Sequence, residues 1–423
     1  MNILFLTDNF LPERNAPATR TYEHALQWVA DGHSVTIITT APNFPEGRIY
    51  EGYRNSWYRI EQIDGIRVVR VKTFISANEG FLRRTIDYAS FMVTGTVAAL
   101  FQQRPDVLVS TSPQFFCAVA GWTVSKLRRL PWVFELRDLW PASIVAVGAM
   151  KPGMIIRLLE KLELQMYRSA RLVVSVTHAF AADLIGRGIN AGKVRVVLNG
   201  VDQTRYSARP KDKTLVDSLG IEGRFVVGYL GTLGLAHALD KVLDAAALLR
   251  SRSDIVFLIA GSGARQEELK ARVASEGLDN VLFLGAQPKQ LMPALWSIHD
   301  VALIPLKRHD LFRTVIPSKM FEAMGMGIPI LMSLPEGEAT GLLQQTGAGL
   351  CVPPEDPRSM ADAILGLIAD PALMEKLRTA SLEAAPQFSR QVNARTMLAL
   401  FREAAQPQPE KDGAASAARP HRD

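Results

Sequence analysis

The stretch DVALIPLKRHDLFRTVIPSKMFEAMGMGIPILM, residues 300–332, reads as strand, loop, helix and strand. DVALIP (300–305) and IPILM (328–332) are short apolar runs of the kind buried on both faces of a parallel sheet. The loop between them carries Lys307, Arg308 and Arg313, and the helix opens at Pro317-Ser318. Ser318 suits an N-cap. A capping box would place its acid at position 321, which is Phe321, so Glu322 stands one place too late to close it. One reading makes the helix start an anion site. Lys307, Arg313 and Lys319 then neutralise phosphates, Pro317 and Ser318 offer the helix N-terminus, and Glu322 accepts hydrogen bonds from a vicinal diol such as a ribose. The bland reading is an i,i+3 ion pair between Lys319 and Glu322.

The same unit recurs along the chain. In the first half, strands are expected at NILFLT (2–7), SVTIITT (34–40), IRVVRV (66–71), DVLVS (106–110), WVFEL (132–136), RLVVSV (171–176) and VRVVL (194–198). In the second half they are expected at RFVVGYL (224–230), DIVFLIA (254–260), NVLFLG (280–285), DVALIP, IPILM and GLCVP (349–353). Helix-length amphipathic stretches separate them, which makes both series βαβ crossovers and the fold class α/β, with two doubly wound Rossmann-like domains. At 423 residues the chain is long for one core and suits two. The turn-rich segment LNGVDQTRYSARP (198–210) marks the boundary, with domains at 1–200 and 201–385. The end of the chain, QPQPEKDGAASAARPHRD (406–423), is poor in bulky apolar residues and is expected to be disordered.

Composition narrows the function. Residues 1–200 hold 23 Lys and Arg against 16 Asp and Glu, a net of +7, so the remainder carries −1 of the chain's +6. A basic half faces nucleic acid, an anionic membrane or an anionic substrate. Its cations are scattered, with few aromatics among them, which makes nucleic acid the least fitting of the three. The two cysteines, Cys117 and Cys351, stand one in each half, so a reducing cytoplasm is expected rather than a disulfide framework. No Cys–His cluster offers a zinc site, and no metal or cofactor is expected. The N-terminus MNILFLTDNF shows no signal peptide. No run of roughly 18 apolar residues spans a bilayer.

In open α/β sheets, ligands bind beyond the carboxyl ends of the strands. In the second half those ends carry Gly231 and Thr232, then Gly261, Ser262 and Gly263. Glycine there either lets backbone N–H groups approach a phosphate or serves the geometry of a tight turn. In the first half, WVFELRDLWPASI (132–144) places Arg137 and Asp138 at a strand end. Asp138 can orient a hydroxyl. Arg137 stays protonated and so binds phosphate rather than acting as a base. The alternative is a salt bridge from Arg137 to Asp138 or to Glu135. The loop TDNFLPERNAPATR (7–20) offers Arg14, Asn15 and Ala16 before a helix near Pro17, with Arg14 and Arg20 as candidates for an anionic acceptor. TTAPNFPEGRIYEGY (39–53) reads as a long loop beside that acceptor or as plain surface. FLRRTIDYASFMVTGTVAALF (81–101) reads as a core helix or as one lying on a membrane surface.

PSK (317–319) followed by FEAMGMGIPI (321–330) resembles the donor-site motif of family-4 glycosyltransferases, which have the GT-B fold. Four further segments resemble that family in order: DGHSVTIIT (31–39), LNGVD (198–202), GYLGT (228–232) and IAGSG (259–263). FSRQVNARTMLALF (388–401) resembles its last helix, which crosses back to the first domain at about 386–405. The resemblance covers about residues 1–402. It implies an acceptor-binding first domain and a second domain that binds a nucleotide sugar, with sugar transfer by retention and without a metal. It places the ribose on Glu322 and the diphosphate at Ser318-Lys319. Several positions depart from the pattern. The first acid of the family's E-x7-E pair falls on Thr314, and His237 stands where a Lys is common. Arg137 likewise replaces a His, and Asn15-Ala16 replace a Gly pair. This version is most similar to the bacterial transferases of N-acetylated amino or deoxyamino sugars in O-antigen and capsule assembly. A UDP-sugar donor, a polyprenyl-diphosphate-linked saccharide acceptor and a peripheral place on the inner face of the cytoplasmic membrane are the corresponding expectations. The rival readings are a nucleotide-sugar epimerase or hydrolase of the same fold, and a non-catalytic assembly protein.

Overall fold

The computed structural model describes residues 1–407 apart from 14, 45, 77–80, 147–149 and 152. Arg14 and positions 408–423 of the expected tail therefore lie outside the described residues. The first sheet has the order β3-β4-β2-β1-β5-β6-β7-β8. Its strands are β1 Asn2–Leu6, β2 Ser34–Thr40, β3 Tyr58–Ile63, β4 Ile66–Val71, β5 Val107–Thr111, β6 Trp132–Leu136, β7 Leu172–Ser175 and β8 Val194–Val196. The second sheet has the order β11-β10-β9-β12-β13-β14. It comprises β9 Phe225–Leu230, β10 Ile255–Ala260, β11 Val281–Gly285, β12 Val301–Pro305, β13 Ile330–Ser333 and β14 Gly349–Val352.

Every pairing is parallel except that of β3 with β4. β3, YRIEQI, has no counterpart among the expected strands. Its side chains alternate between exposed and half-buried at a sheet edge, so it carries no continuous apolar run. The interior strands do carry one. IVFLIA of β10 is buried along its whole length, because helices cover both faces of the sheet.

The first sheet lies between two apolar layers. On one face, Phe91, Ala98 and Ala99 of the helix Phe81–Leu100 pack with Cys117, Ala118 and Val124 of the helix Phe115–Arg128. On the other face, Trp28 of the helix Ala16–Ala30 packs with Phe5 and with Met397 and Phe401 of the last helix, Arg390–Ala405. The Trp28 and Phe401 rings meet edge to face at 5.0 Å, and Trp28 Nε1 donates to the Ala394 carbonyl at 2.8 Å. The last helix thus belongs to the core of the first sheet, having crossed back from the second.

The helix Ala16–Ala30 starts where Pro17 sets φ and Asn15 caps, its Oδ1 accepting from Ala18 N at 2.9 Å. Asn15 is therefore occupied by the helix it opens. Arg20 lies one turn in. Its Nε meets Glu135 Oε1 at 2.9 Å, with the two side chains 3% and 2% exposed. Its Nη atoms donate to the Val197 and Leu198 carbonyls and to Asn199 Oδ1. Burial alone would push the Glu135 carboxyl up, but Arg20 and Arg137 beside it bring it below the usual carboxylate range. Arg20 is thus a buried clamp rather than a contact for an anionic acceptor. Its length lets it join the first helix, the end of β6 and the interdomain segment.

Removing one partner of such a pair leaves an uncompensated buried charge. Arg20→Ala should lower unfolding free energy by about 3–5 kcal/mol in denaturant titrations. A variant with wild-type stability and a selective loss of acceptor affinity would return Arg20 to the acceptor.

Candidate active site

Loops from the carboxyl ends of both sheets meet across a cleft. Lys289, just beyond β11, reaches the first domain, where its Nζ donates to Thr19 Oγ1 at 2.9 Å and lies 3.3 Å from Glu23 Oε1. The other oxygen of Glu23 binds Arg390, whose Nε donates to the Gly200 carbonyl at 2.8 Å. Beyond β13, Glu338 accepts from His178 N at 2.7 Å and Ala179 N at 2.6 Å, the first N–H groups of the first-domain helix His178–Gly186. A carboxylate at a helix N-terminus meets the positive end of its dipole. The two contacts flank the cleft, and none of these residues was singled out in the sequence. Lys289 and Glu338 had only a position past a strand end as a signal, which many surface residues share, and Glu23 and Arg390, placed in helices, lacked even that.

Between the flanks lies a cavity of about 180 Å³, lined by Ala16 and Thr19 from the first domain and by Lys289, Ser318, Glu322 and Arg390. Ala16, Ser318 and Glu322 are thus brought together across the cleft. Ser318 does not cap. It is already helical, at φ −60° and ψ −26°, and its side chain makes no cap hydrogen bond. Met320 N and Phe321 N turn back to the Pro317 and Ser318 carbonyls, so the helix Lys319–Met326 begins as a tight turn at Pro317. That geometry frees the Ser318 hydroxyl for the cavity.

Glu322 lines the cavity with one oxygen held, Oε2 accepting from Trp296 Nε1 at 3.1 Å. Burial raises its carboxyl above the ordinary range, opposed by Arg390, Trp296 and Lys289. Lys319 does not pair with it. Lys319 Nζ is buried without any hydrogen-bond partner and sits 3.7 Å above the centre of the Tyr229 ring. Burial brings this ammonium down to about 7, against the pull of Glu322. An unpaired cation on an aromatic face, at the start of a helix, is a site arranged for an anion.

The glycines explain how Lys319 fits. A Cβ on Gly231 would lie 2.8 Å from its Nζ. One on Gly261 would lie 1.7 Å from the Gly231 carbonyl oxygen, and one on Gly263 2.5 Å from that of Leu233. Gly231 thus makes room for the cation, while Gly261 and Gly263 let the second loop press on the first. Thr232 is exposed, and its carbonyl accepts from Tyr229 Oη at 2.6 Å, which fixes the ring under Lys319. His237 stands edge-on to the same ring at 6.1 Å. Burial, with Lys319 nearby, pushes its imidazole down to about 3, so it is neutral, and its Nδ1 has no partner.

Two expected site residues, Arg313 and Lys307, stand apart. Arg313 is exposed, 3.8 Å from Asp310, and borders a separate depression with Arg308, His309 and Glu336. It does not join Lys319, because the turn Asp310–Arg313 points it outward while Leu311 and Val315 pack against the first domain. Thr314 closes that turn, its Oγ1 donating to the Leu311 carbonyl at 2.6 Å. Lys307 ties the two glycine loops' neighbourhood together through its backbone N–H, which donates to Ala236 O at 2.9 Å. Its charge acts on Glu268.

On the first-domain side, neither expected salt bridge of Arg137 forms, since Glu135 is taken by Arg20. Arg137 Nη1 points to the Pro17 carbonyl at 3.4 Å, and burial lowers its guanidinium to about 10. Ser112 Oγ accepts from Arg137 N at 2.8 Å and Asp138 N at 3.3 Å, which anchors the strand end. The Asp138 carboxyl is raised to about 6 by burial, opposed by hydrogen bonds from Ser143 and Leu139 N. It titrates near neutrality beside the cleft, while bound to its own turn.

Comparison with known proteins gives this arrangement a family. Residues 15–200 match the glycosyl transferase 4-like domain, and residues 211–384 match glycosyl transferases group 1. WcaI of Escherichia coli strain K12, named as a glycosyl transferase of colanic acid biosynthesis, is 26% identical over 396 residues, covering 91% of this chain and 95% of its own. Among solved structures, the sucrose-phosphate synthase of Thermosynechococcus elongatus superposes with a TM-score of 0.75 at 18% identity, covering 95% of this chain and 98% of that one. Anabaena HepE, solved with UDP and glucose, gives 0.72 at 19% identity over 95% and 99%. With both domains matched and two Rossmann-like sheets facing across a cleft, the chain belongs to the group-1, family-4-like glycosyltransferases of GT-B fold.

Proposed function

We propose that the protein is a retaining, metal-independent glycosyltransferase. It moves an N-acetylated hexosamine or deoxyhexosamine from a UDP-sugar to a polyprenyl-diphosphate-linked saccharide in O-antigen or capsule assembly. The observation that carries the donor reading is Lys319, a buried ammonium with no partner between the Tyr229 ring and Gly231. A diphosphate supplies the missing counter-charge, and Glu322, within the adjoining cavity, accepts the ribose hydroxyls. HepE, of similar fold, was solved with UDP-glucose, which favours a uridine donor. WcaI, and WaaG of lipopolysaccharide biosynthesis with a TM-score of 0.67, favour a surface polysaccharide.

In this reading Lys319 and the positive end of its helix dipole stabilise the charge that develops on the leaving diphosphate. The diphosphate takes the acceptor's proton. Arg137 and Asp138 position the acceptor from the opposite wall, and cleft closure excludes water. A lipid-linked acceptor calls for contact with a membrane surface. No described helix is long and apolar enough to cross a membrane. The helix Phe81–Leu100 instead buries Phe91, Ala98 and Ala99 and exposes Ile86, Val93 and Val97 on its outer face. Met154, Ile155 and Leu158 are exposed at the start of the helix Met154–Ser169, near exposed Arg157 and Lys161. Each helix runs from the carboxyl end of one strand, at the cleft, to the amino end of the next, so the apolar surface lies along the side of the first domain. This supports peripheral attachment to the inner face of the cytoplasmic membrane through the basic first domain.

Two measurements test the donor site. In calorimetric titrations with UDP and GDP, without metal, Glu322→Ala should weaken UDP binding by about tenfold to a hundredfold, the loss of hydrogen bonds to a charged group. Unchanged binding would remove Glu322 from the site. The second concerns pH. Above about 7 the free Lys319 is increasingly neutral and must take up a proton as the diphosphate binds, so UDP affinity should fall as pH rises from 7 to 9. Lys319→Arg, which keeps its charge throughout, should flatten that profile. A wild-type affinity that does not change with pH would contradict the diphosphate assignment.

A further inference from the structure

At the end of the first domain opposite the cleft, the amino ends of β6, β7 and β8 border an open pocket of about 1030 Å³. Its wall carries Arg129, Arg168, Arg171 and Lys193, over a floor that includes Pro131 and Trp132. Among the described residues none of these four cations is paired with a carboxylate. Arg171 donates to the Gln406 carbonyl at 2.6 Å and Lys193 to the Arg168 carbonyl at 2.7 Å. The acid on the rim, Glu403, is bound by Arg195 at 2.6 Å.

Cations at helix carboxyl ends often serve the helix dipole, and some here do. Arg104 donates to the Arg128 and Arg129 carbonyls at 3.2 and 3.4 Å, closing the end of the helix Phe115–Arg128. Lys193 does the same for the helix Met154–Ser169. With those ends satisfied, the guanidinium groups of Arg129 and Arg168 have no partner among the described residues. Lys126 adds further positive charge, and together with burial it lowers the Lys193 ammonium. Two large apolar side chains stand out beside this end, Phe101 at 82% and Leu127 at 65% exposed.

Mutual repulsion among gathered cations disfavours this arrangement unless an anion offsets it. Planar guanidinium forks suit phosphate oxygens in particular. We propose that this pocket is a phosphate-binding site, separate from the donor cleft and on the far end of the domain from it. Its ligand is either the headgroup of an anionic phospholipid, with Phe101 and Leu127 entering the apolar layer, or a soluble phosphate ester.

The test uses the full chain with the cleft saturated by UDP. Binding is measured by sedimentation with vesicles of phosphatidylcholine alone or with about 30% phosphatidylglycerol, and by calorimetry with inorganic pyrophosphate. The double variant Arg129→Glu, Arg168→Glu changes two exposed side chains that have no partner among the described residues, and its melting temperature and UDP affinity should match the wild type. The expected result is binding by the wild type that is at least about tenfold weaker in the variant. Binding seen with anionic vesicles alone identifies a lipid headgroup, and binding of pyrophosphate identifies a soluble ester. Equal binding by wild type and variant, or no binding to either probe, overturns the proposal. The donor site stands or falls separately on the UDP titration.

Discussion

The buried pair of Arg20 and Glu135 is the point from which the rest of the site is positioned. A guanidinium can hold four partners in one plane, and Arg20 uses that reach to join the first helix, the end of β6 and the carbonyls of Val197 and Leu198. Those three pieces carry Ala16 into the cleft, set Arg137 two residues beyond Glu135, and fix where the chain leaves for the second domain. Because the pair is dry and Arg20 is held through all three of its nitrogens, its geometry is rigid. Arg137 then lies beside an already neutralised carboxylate and is left over for the cleft.

The second domain builds its side on a different economy, the backbone. Gly231, Gly261 and Gly263 all take positive φ and press two loops together without side chains between them. The space so created is filled by one lysine on one tyrosine ring. Lys319 is therefore specified by what surrounds it: a ring fixed by Thr232, a glycine that yields room, and a neutral His237 that adds no repulsion.

Much of this was legible in the sequence, and the failures have a common cause. Doubly buried β-branched runs identified the parallel strands, since short runs of that kind suit a strand covered on both faces. The polar edge strand Tyr58–Ile63 escaped because a half-exposed strand looks like a loop. Glu322, which drew notice by the capping position it fails to fill, lines the cavity, and Lys319, three residues before it, is buried over the Tyr229 ring. Arg20 and Arg313 lie in other surroundings than the sequence suggests, and Ser318 lines the cavity without capping its helix. A charged or hydroxylic residue near a strand end looks the same in sequence whether the fold buries it, turns it outward or frees it. Which of these happens depends on partners far along the chain: Glu135 for Arg20, the Leu311–Val315 packing for Arg313. Glu23, Lys289, Arg390 and Glu338 were invisible for the same reason, since each acts only through contacts between the domains.

The last helix has a bearing on how the chain is made. Trp28, Phe5 and the apolar face of the first sheet are covered by Met397 and Phe401, residues near the end of the described chain. A ribosome synthesising about 5–20 residues per second delivers that cover roughly 10–40 s after the first sheet has emerged. During that interval the nascent first domain has a sheet face without its lid and a tryptophan indole without its carbonyl. The second domain, complete in its own stretch of chain, can close before the first. The order of maturation then runs against the order of translation, and an exposed aromatic face during synthesis is the cost of tying the two domains together with one helix.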